Sequence, residues 1–164
     1  MAERQILSDL NSGDVRAQEI SFIIEVWRQA ALGNANCPRL LREFRKHCGA
    51  ETEHIFEIYF TFLRALGRAS RRRLKIGHPG CPGMTRDEVQ VLSLLAAAQT
   101  GHWTLFDAHL CWLASDGSRA VIAAAAMVLA DALGKCSFDI SGGLHIEQGP
   151  NGVLPGLSLV RQSH

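Results

Sequence analysis

The residue types best suited to chemistry are gathered in one short stretch, HPGCPGMTRDE at positions 78–88. Pro79 and Pro82 restrict the backbone, while Gly80 and Gly83 permit positive φ. The sequence therefore predicts a rigid loop that holds the His78 imidazole and the Cys81 thiol in a fixed relation. An imidazole and a thiol make half a zinc site, because zinc takes four ligands in a structural role and three plus water in a catalytic one. The missing ligands would have to come from His47, Cys48, His54, His102, His109 or Cys111. His109 and Cys111 are separated by one residue on a predicted helix and face different ways, and the adjacent His47 and Cys48 diverge similarly. The spacing thus argues against a metal at His78 and Cys81, and no cofactor is favoured. Without a metal, Cys81 is either a small apolar plug or a reactive thiol whose pKa a nearby helix amino terminus would lower. The plug is the plainer reading.

Just upstream, RASRRRLKIGH places Arg68, Arg71, Arg72, Arg73 and Lys75 at the end of a predicted helix. Cations are favourable at a helix carboxyl end, and a charge run usually forms a solvated face. The functional alternative is an anion site in which Arg71, Arg72 and Arg73 meet free N–H groups at the start of the next helix. A small phosphate-bearing metabolite or an acidic partner protein would suit it. Nucleic acid is not expected, since the formal net charge is only +1. Further on, HWTLFDAHLCW carries His102, Asp107, His109 and Cys111. A Cys–His nucleophilic pair needs the thiol within hydrogen-bond reach of the imidazole, and nothing local supplies that. A Cys-dependent enzyme is the third-ranked reading, and phosphate-loop, dinucleotide-binding and zinc-protease signatures do not occur.

These residues must be positioned by helices. Thr85-Arg86-Asp87-Glu88 fits the capping box, in which Thr85 accepts from the Glu88 N–H and the Glu88 carboxylate reaches back to the Thr85 N–H. Asp87 and Glu88 also suit the positive end of the helix dipole, and Met84 is placed to staple onto Val89. Helical spacing predicts elements over about Val15–Leu32 (capped by Asp14), Pro38–Cys48, Glu51–Ser70, Thr85–Thr100, Thr104–Leu113 and Ser118–Leu133. Pro38 suits a first helical position, and Gly49, Gly101 and Gly134 are read as stops. The third helix has too wide an apolar arc to bury one side only, so it is either central in the fold or part of an oligomer contact. Phe56 and Phe60 on that arc are candidate interface residues for a homodimer. The alanine-rich sixth helix, apolar all round, is expected at the centre of the bundle.

The turn Cys81-Pro82-Gly83-Met84-Thr85-Arg86-Asp87-Glu88, following a long Phe- and Leu-rich helix and a basic stretch, resembles a group of short bacterial all-helical proteins of unknown function. That group carries a Cys-Pro-x-Met-Thr-x-Asp/Glu-Glu turn ahead of a Leu/Ala helix, and the resemblance covers roughly residues 50–115. Some members have a second cysteine where this chain has Gly80. The resemblance implies a helical fold and no particular reaction.

Bulk properties agree with one domain: 164 residues, 47% hydrophobic and 20% charged. Five dispersed cysteines without a C-x-x-C pair, and an amino terminus lacking a continuous apolar core, point to reduced thiols in a cytoplasmic protein. The run AVIAAAAMVLA is short of the roughly 20 residues that span a bilayer, so no membrane role is expected. The expected architecture is an all-α array of about six helices over residues 1–134. A glycine-rich extension over 135–164 follows, as a tail or a short hairpin built from LHIE and LSLV. The leading functional expectation is a non-enzymatic homodimer acting through protein contacts. The alternatives are a small-anion or metal site near His78, Cys81 and Arg71–Arg73, and a Cys-dependent enzyme.

Overall fold

A computed structural model describes residues 19–34 and 37–141, with the backbone of 145–146 and 157–158. Five helices lie wholly within these residues: α2 (Pro38–Cys48), α3 (Thr52–Ala69), α4 (Arg86–Thr100), α5 (Trp103–Leu113) and α6 (Arg119–Lys135). Helical residues 19–31, designated α1, precede them. The cap at Asp14 and the start at Val15 fall outside the described residues. Short 3-10 turns at Gly49–Glu51 and Asp116–Ser118 lead into α3 and α6. The fold is all-α. A two-residue antiparallel ladder pairs His145 with Ser158 and Ile146 with Leu157, too short to alter that class.

Local chemistry accounts for the boundaries. Pro38 opens α2 where its missing N–H has no intrahelical role. Gly101 ends α4 at φ 71°, a left-handed conformation that glycine adopts without a Cβ clash. Gly134, by contrast, does not stop α6, which runs on to Lys135. The chain beyond also belongs to the core. Phe138 and Ile140 are buried, and the Phe138 ring lies 5.4 Å from Phe44 and 4.8 Å from His47. Gln99 ties this segment down, donating to the Phe138 carbonyl at 2.8 Å and accepting from the Ile140 N–H at 2.9 Å.

The central helix is α4, not α6. Every residue from Val91 to Ala97 is buried, with α5 and α6 packed against it. Ser93, the one hydroxyl in that run, donates to the Val89 carbonyl at 2.6 Å, so its burial leaves no unpaired donor. α6 buries Ile122, Ala126, Leu129, Ala130 and Leu133 against α3 and α4 and turns a second apolar face outward. Val121, Val128 and Met127 there are 57%, 54% and 46% exposed. The stretch Asp116–Lys135 has the length and mean hydropathy, 1.4, of a bilayer-spanning segment, although its inner face is part of the core. α1 is fixed to α3 by the buried Tyr59 hydroxyl, which donates to the Ile23 carbonyl at 2.6 Å.

Candidate functional site

The capping box at the head of α4 is formed. The Thr85 hydroxyl accepts from the Glu88 N–H at 3.1 Å, and the Thr85 N–H donates to Glu88 Oε2 at 2.7 Å. The same Thr85 hydroxyl donates to the Lys75 carbonyl at 2.6 Å, so the cap also fastens the strand of chain entering the loop. Met84 is half-buried and packs on the core.

The Glu88 carboxylate has a second set of partners from elsewhere in the sequence. Arg28 of α1 grips it bidentately, Nε to Oε1 at 2.8 Å and Nη2 to Oε2 at 2.9 Å. The Gly77 N–H adds a bond to Oε1 at 2.9 Å. Arg28 also donates to two loop carbonyls, Nη1 to Cys81 at 2.9 Å and Nη2 to Gly83 at 2.6 Å. Arg28 is 4% exposed and Glu88 is fully buried. Burial would raise the Glu88 pKa, but its bonds from Arg28 and from the Thr85 and Gly77 N–H groups outweigh that and hold the carboxyl below its ordinary range. The His78–Gly83 loop is thus lashed to α1 through its backbone, with Gly80 N–H adding a bond to Glu25 at 3.1 Å.

Gly77 lies flat against the Arg28 guanidinium: a Cβ there would sit 2.7 Å from Nη2 and 3.0 Å from Cζ. Because four bonds hold that guanidinium, it has nowhere to move. Gly77→Ala is expected to lower stability by about 1–3 kcal/mol, whereas Gly83→Ala, with open space around its Cβ, is expected to change the urea midpoint little. Equal midpoints for the two variants would show that Gly77 is not packed as described.

Arg71, Arg72 and Arg73, the alternative anion site, have different surroundings. Arg72 pairs bidentately with Asp87, at 2.9 and 2.6 Å, and its guanidinium lies 4.8 Å from the Trp112 ring centroid. Asp87, only 3% exposed, also accepts from the Lys75 N–H at 2.6 Å. The Arg72 hydrogen bonds hold its carboxyl below the ordinary range against the opposing effect of burial. Arg71 reaches the Cys111 and Ala114 carbonyls at the end of α5, at 3.3 and 3.4 Å, where a cation is favourable. α4 thus brings its own anion to Arg72: Asp87 takes two of the guanidinium donors that a bound anion would use. Of the three, Arg72 alone has a carboxylate among the described residues, and Arg73 has neither a carboxylate nor a carbonyl for its side chain.

His78 and Cys81 are both exposed. Cys81 borders an open cleft of about 490 Å³ that also meets Glu25, Arg39 and Glu43. Among the described residues no three His, Cys, Asp or Glu side chains gather as a metal site, and no histidine hydrogen-bonds a thiol. An apolar plug at Cys81 is likewise ruled out by its exposure. The buried thiol is Cys48, whose pKa is pushed up to about 12 by burial and by its neighbour Cys136. It is held as a thiol rather than poised as a nucleophile. His109 is half-buried, with Nδ1 2.7 Å from Gln90 Oε1, while Cys111 on the same helix is exposed. His102 stands at the cap position of α5 without a side-chain cap bond.

The two interface candidates separate. Phe56 is 5% exposed with its ring 4.7 Å from Phe44, so it belongs to the core and cannot present itself to a partner. The wide arc of α3 is explained by burial on several sides, against α2 and α6. Phe60 is half-buried and borders an apolar groove of about 570 Å³ between the carboxyl-terminal halves of α1 and α3. Arg73 lies on the same groove. The sequence reading missed Arg28 and the outward face of α6. An arginine inside the apolar period of α1 was the available signal for the first, and the absence of any charge between Arg119 and Asp131 was the signal for the second. No family model matches the chain, and neither a curated protein nor a solved structure is significantly similar to it.

Proposed function

We propose that the protein acts through protein contacts rather than catalysis, as a cytoplasmic helical domain that self-associates across the outward face of α6. The observation that carries this reading is the uninterrupted apolar exposure of that face. Ala120, Val121, Ala124, Met127 and Val128 are all exposed, and they recur at helical spacing over more than two turns. A helix with one buried side and one solvated side has charges on the second; here none occurs between Arg119 and Asp131. Alanines between the larger side chains allow a second helix to approach closely.

The ends of α6 favour a second copy as the occupant. Arg119, paired with Asp116, and Asp131, paired with Lys135, bracket the helix in sequence, and the face between them is apolar throughout. An antiparallel twofold pairing of α6 with itself lays this apolar face on its own copy, and it sets the helix dipoles in opposition. A cytoplasmic setting fits the five free thiols.

Light scattering behind a sizing column tests the proposal. Wild type is expected at twice the chain mass at micromolar concentration. Ala124→Glu, which places a charge at the middle of an exposed face without touching the core, is expected to run as a monomer with unchanged helicity. A monomeric wild type sinks the proposal, and so does a monomer that partitions onto lipid vesicles through α6.

A further inference from the structure

The groove between α1 and α3 unites two features that the sequence presents separately, the Phe60 arc and the arginine run. Among the described residues its lining is apolar except for Ser70 and two arginines, Arg64 and Arg73, with no acidic residue. At about 570 Å³ it falls in the range of small-molecule sites, roughly 300–1,000 Å³. We infer that this groove binds an amphipathic carboxylate of the medium-chain fatty acid class, with the acyl chain along Trp27, Phe60 and Leu63 and the carboxylate at Arg64 and Arg73.

The charge pattern supplies the headgroup. Arg28, Arg45, Arg72 and Arg119 each pair with a carboxylate of this chain. Arg64 and Arg73, like Arg68, Arg71 and Arg86, have none among the described residues, and these two line the groove; Arg64 donates to the Thr61 hydroxyl at 3.2 Å. Two cations at the rim of an apolar slot, without counter-charges, complement an anion that carries an apolar tail. A phosphate or acetate would leave the apolar walls wet, and a neutral alcohol would leave the arginines unanswered.

Gly67 supplies the shape argument. It lies within α3 on the groove wall, and a Cβ built there meets nothing within 4 Å. Glycine inside a helix costs about 1 kcal/mol relative to alanine, and among the described residues no atom crowds this position. Because Gly67 lines the groove, a large side chain there would narrow it. Gly67→Leu is therefore a blocking variant that improves helix propensity, so loss of binding cannot be blamed on loss of folding.

Titration calorimetry with decanoate, held below its micellar concentration, tests the assignment. Wild type is expected to bind one decanoate per chain, with decanol and acetate each at least tenfold weaker. Arg64→Ala/Arg73→Ala is expected to weaken decanoate at least tenfold while leaving decanol unchanged. Gly67→Leu is expected to abolish binding while melting at or above the wild-type temperature. No heat with wild type, or decanoate binding equally well to Gly67→Leu, overturns the inference. A Gly67→Leu variant that changes oligomeric mass and leaves decanoate binding intact shows the groove to be a contact between copies, and overturns it too. Ala124→Glu on α6 is expected to bind decanoate normally, which keeps this site separate from the self-association face.

Discussion

Arg28→Met is expected to destabilise the fold by about 3–5 kcal/mol, because it leaves the buried Glu88 carboxylate without its cation. That is a large share of the total stability of a domain this size, roughly 5–15 kcal/mol. The substitution also frees the Cys81 and Gly83 carbonyls, so the 78–83 loop should become cleavable under limited proteolysis while α3–α6 stay protected. Glu88→Gln is nearly isosteric, yet a comparable loss is expected from it. Oε1 accepts from Arg28 and Gly77, and Oε2 accepts from Arg28 and Thr85. Either orientation of a glutamine amide therefore points its NH₂ at two N–H donors. In a urea-denaturation cycle, Arg28→Met/Glu88→Gln should cost clearly less than the sum of the two singles, since each single already forfeits the shared bonds. Strict additivity, or an Arg28→Met variant within 1 kcal/mol of wild type, would show that the pair is not a coupled unit.

The way this pair escaped the sequence reading marks where local inference stops. Thr85 and Glu88 are three residues apart, and capping chemistry alone foretold their reciprocal bonds; the structure shows both. Helix stops at Gly49 and Gly101 were legible for the same reason, being written in residues adjacent to the event. Arg28 is 60 positions from Glu88, and nothing in either neighbourhood encodes their meeting. Asp87 was assigned to the helix dipole, which is true of its position but omits Arg72, brought alongside only by the return of the chain after α3. The exchange of α4 and α6 has a compositional cause. Both are rich in leucine and alanine, and all-round apolarity is equally the mark of a central helix and of one whose second face awaits a partner. Phe56 and Phe60 illustrate the same limit at finer scale: one period and one residue type, divided between core and groove by where α1 and α2 happen to pack.

Acid should unfold the protein through the head of α4. Asp87 and Glu88 both have carboxyls held below their ordinary values, which are about 3.9 and 4.3 in an unfolded chain. As pH falls, the unfolded chain therefore takes up protons before the folded one does. The stability these carboxylates contribute is complete above about pH 5 and is lost as pH drops through their folded values. Each group can steepen that loss by at most about 1.4 kcal/mol per pH unit. His109 adds an earlier component of the same sign. Burial lowers its pKa, so the folded ring stays neutral while the unfolded ring charges near 6.5. Urea midpoints measured from pH 8 to pH 3 should fall gently below about pH 6.5 and steeply below about pH 4.5. Glu88→Gln, already deprived of its ionised carboxylate, should start lower and approach the wild-type curve at the acid end, since protonated Glu88 and glutamine present the same conflict to Arg28, Gly77 and Thr85. His109→Gln should flatten only the gentler limb. A Glu88→Gln curve parallel to wild type across the whole range would mean that proton binding at Glu88 does not govern acid stability, and with it that the Arg28–Glu88 clasp is not what holds the loop to the bundle.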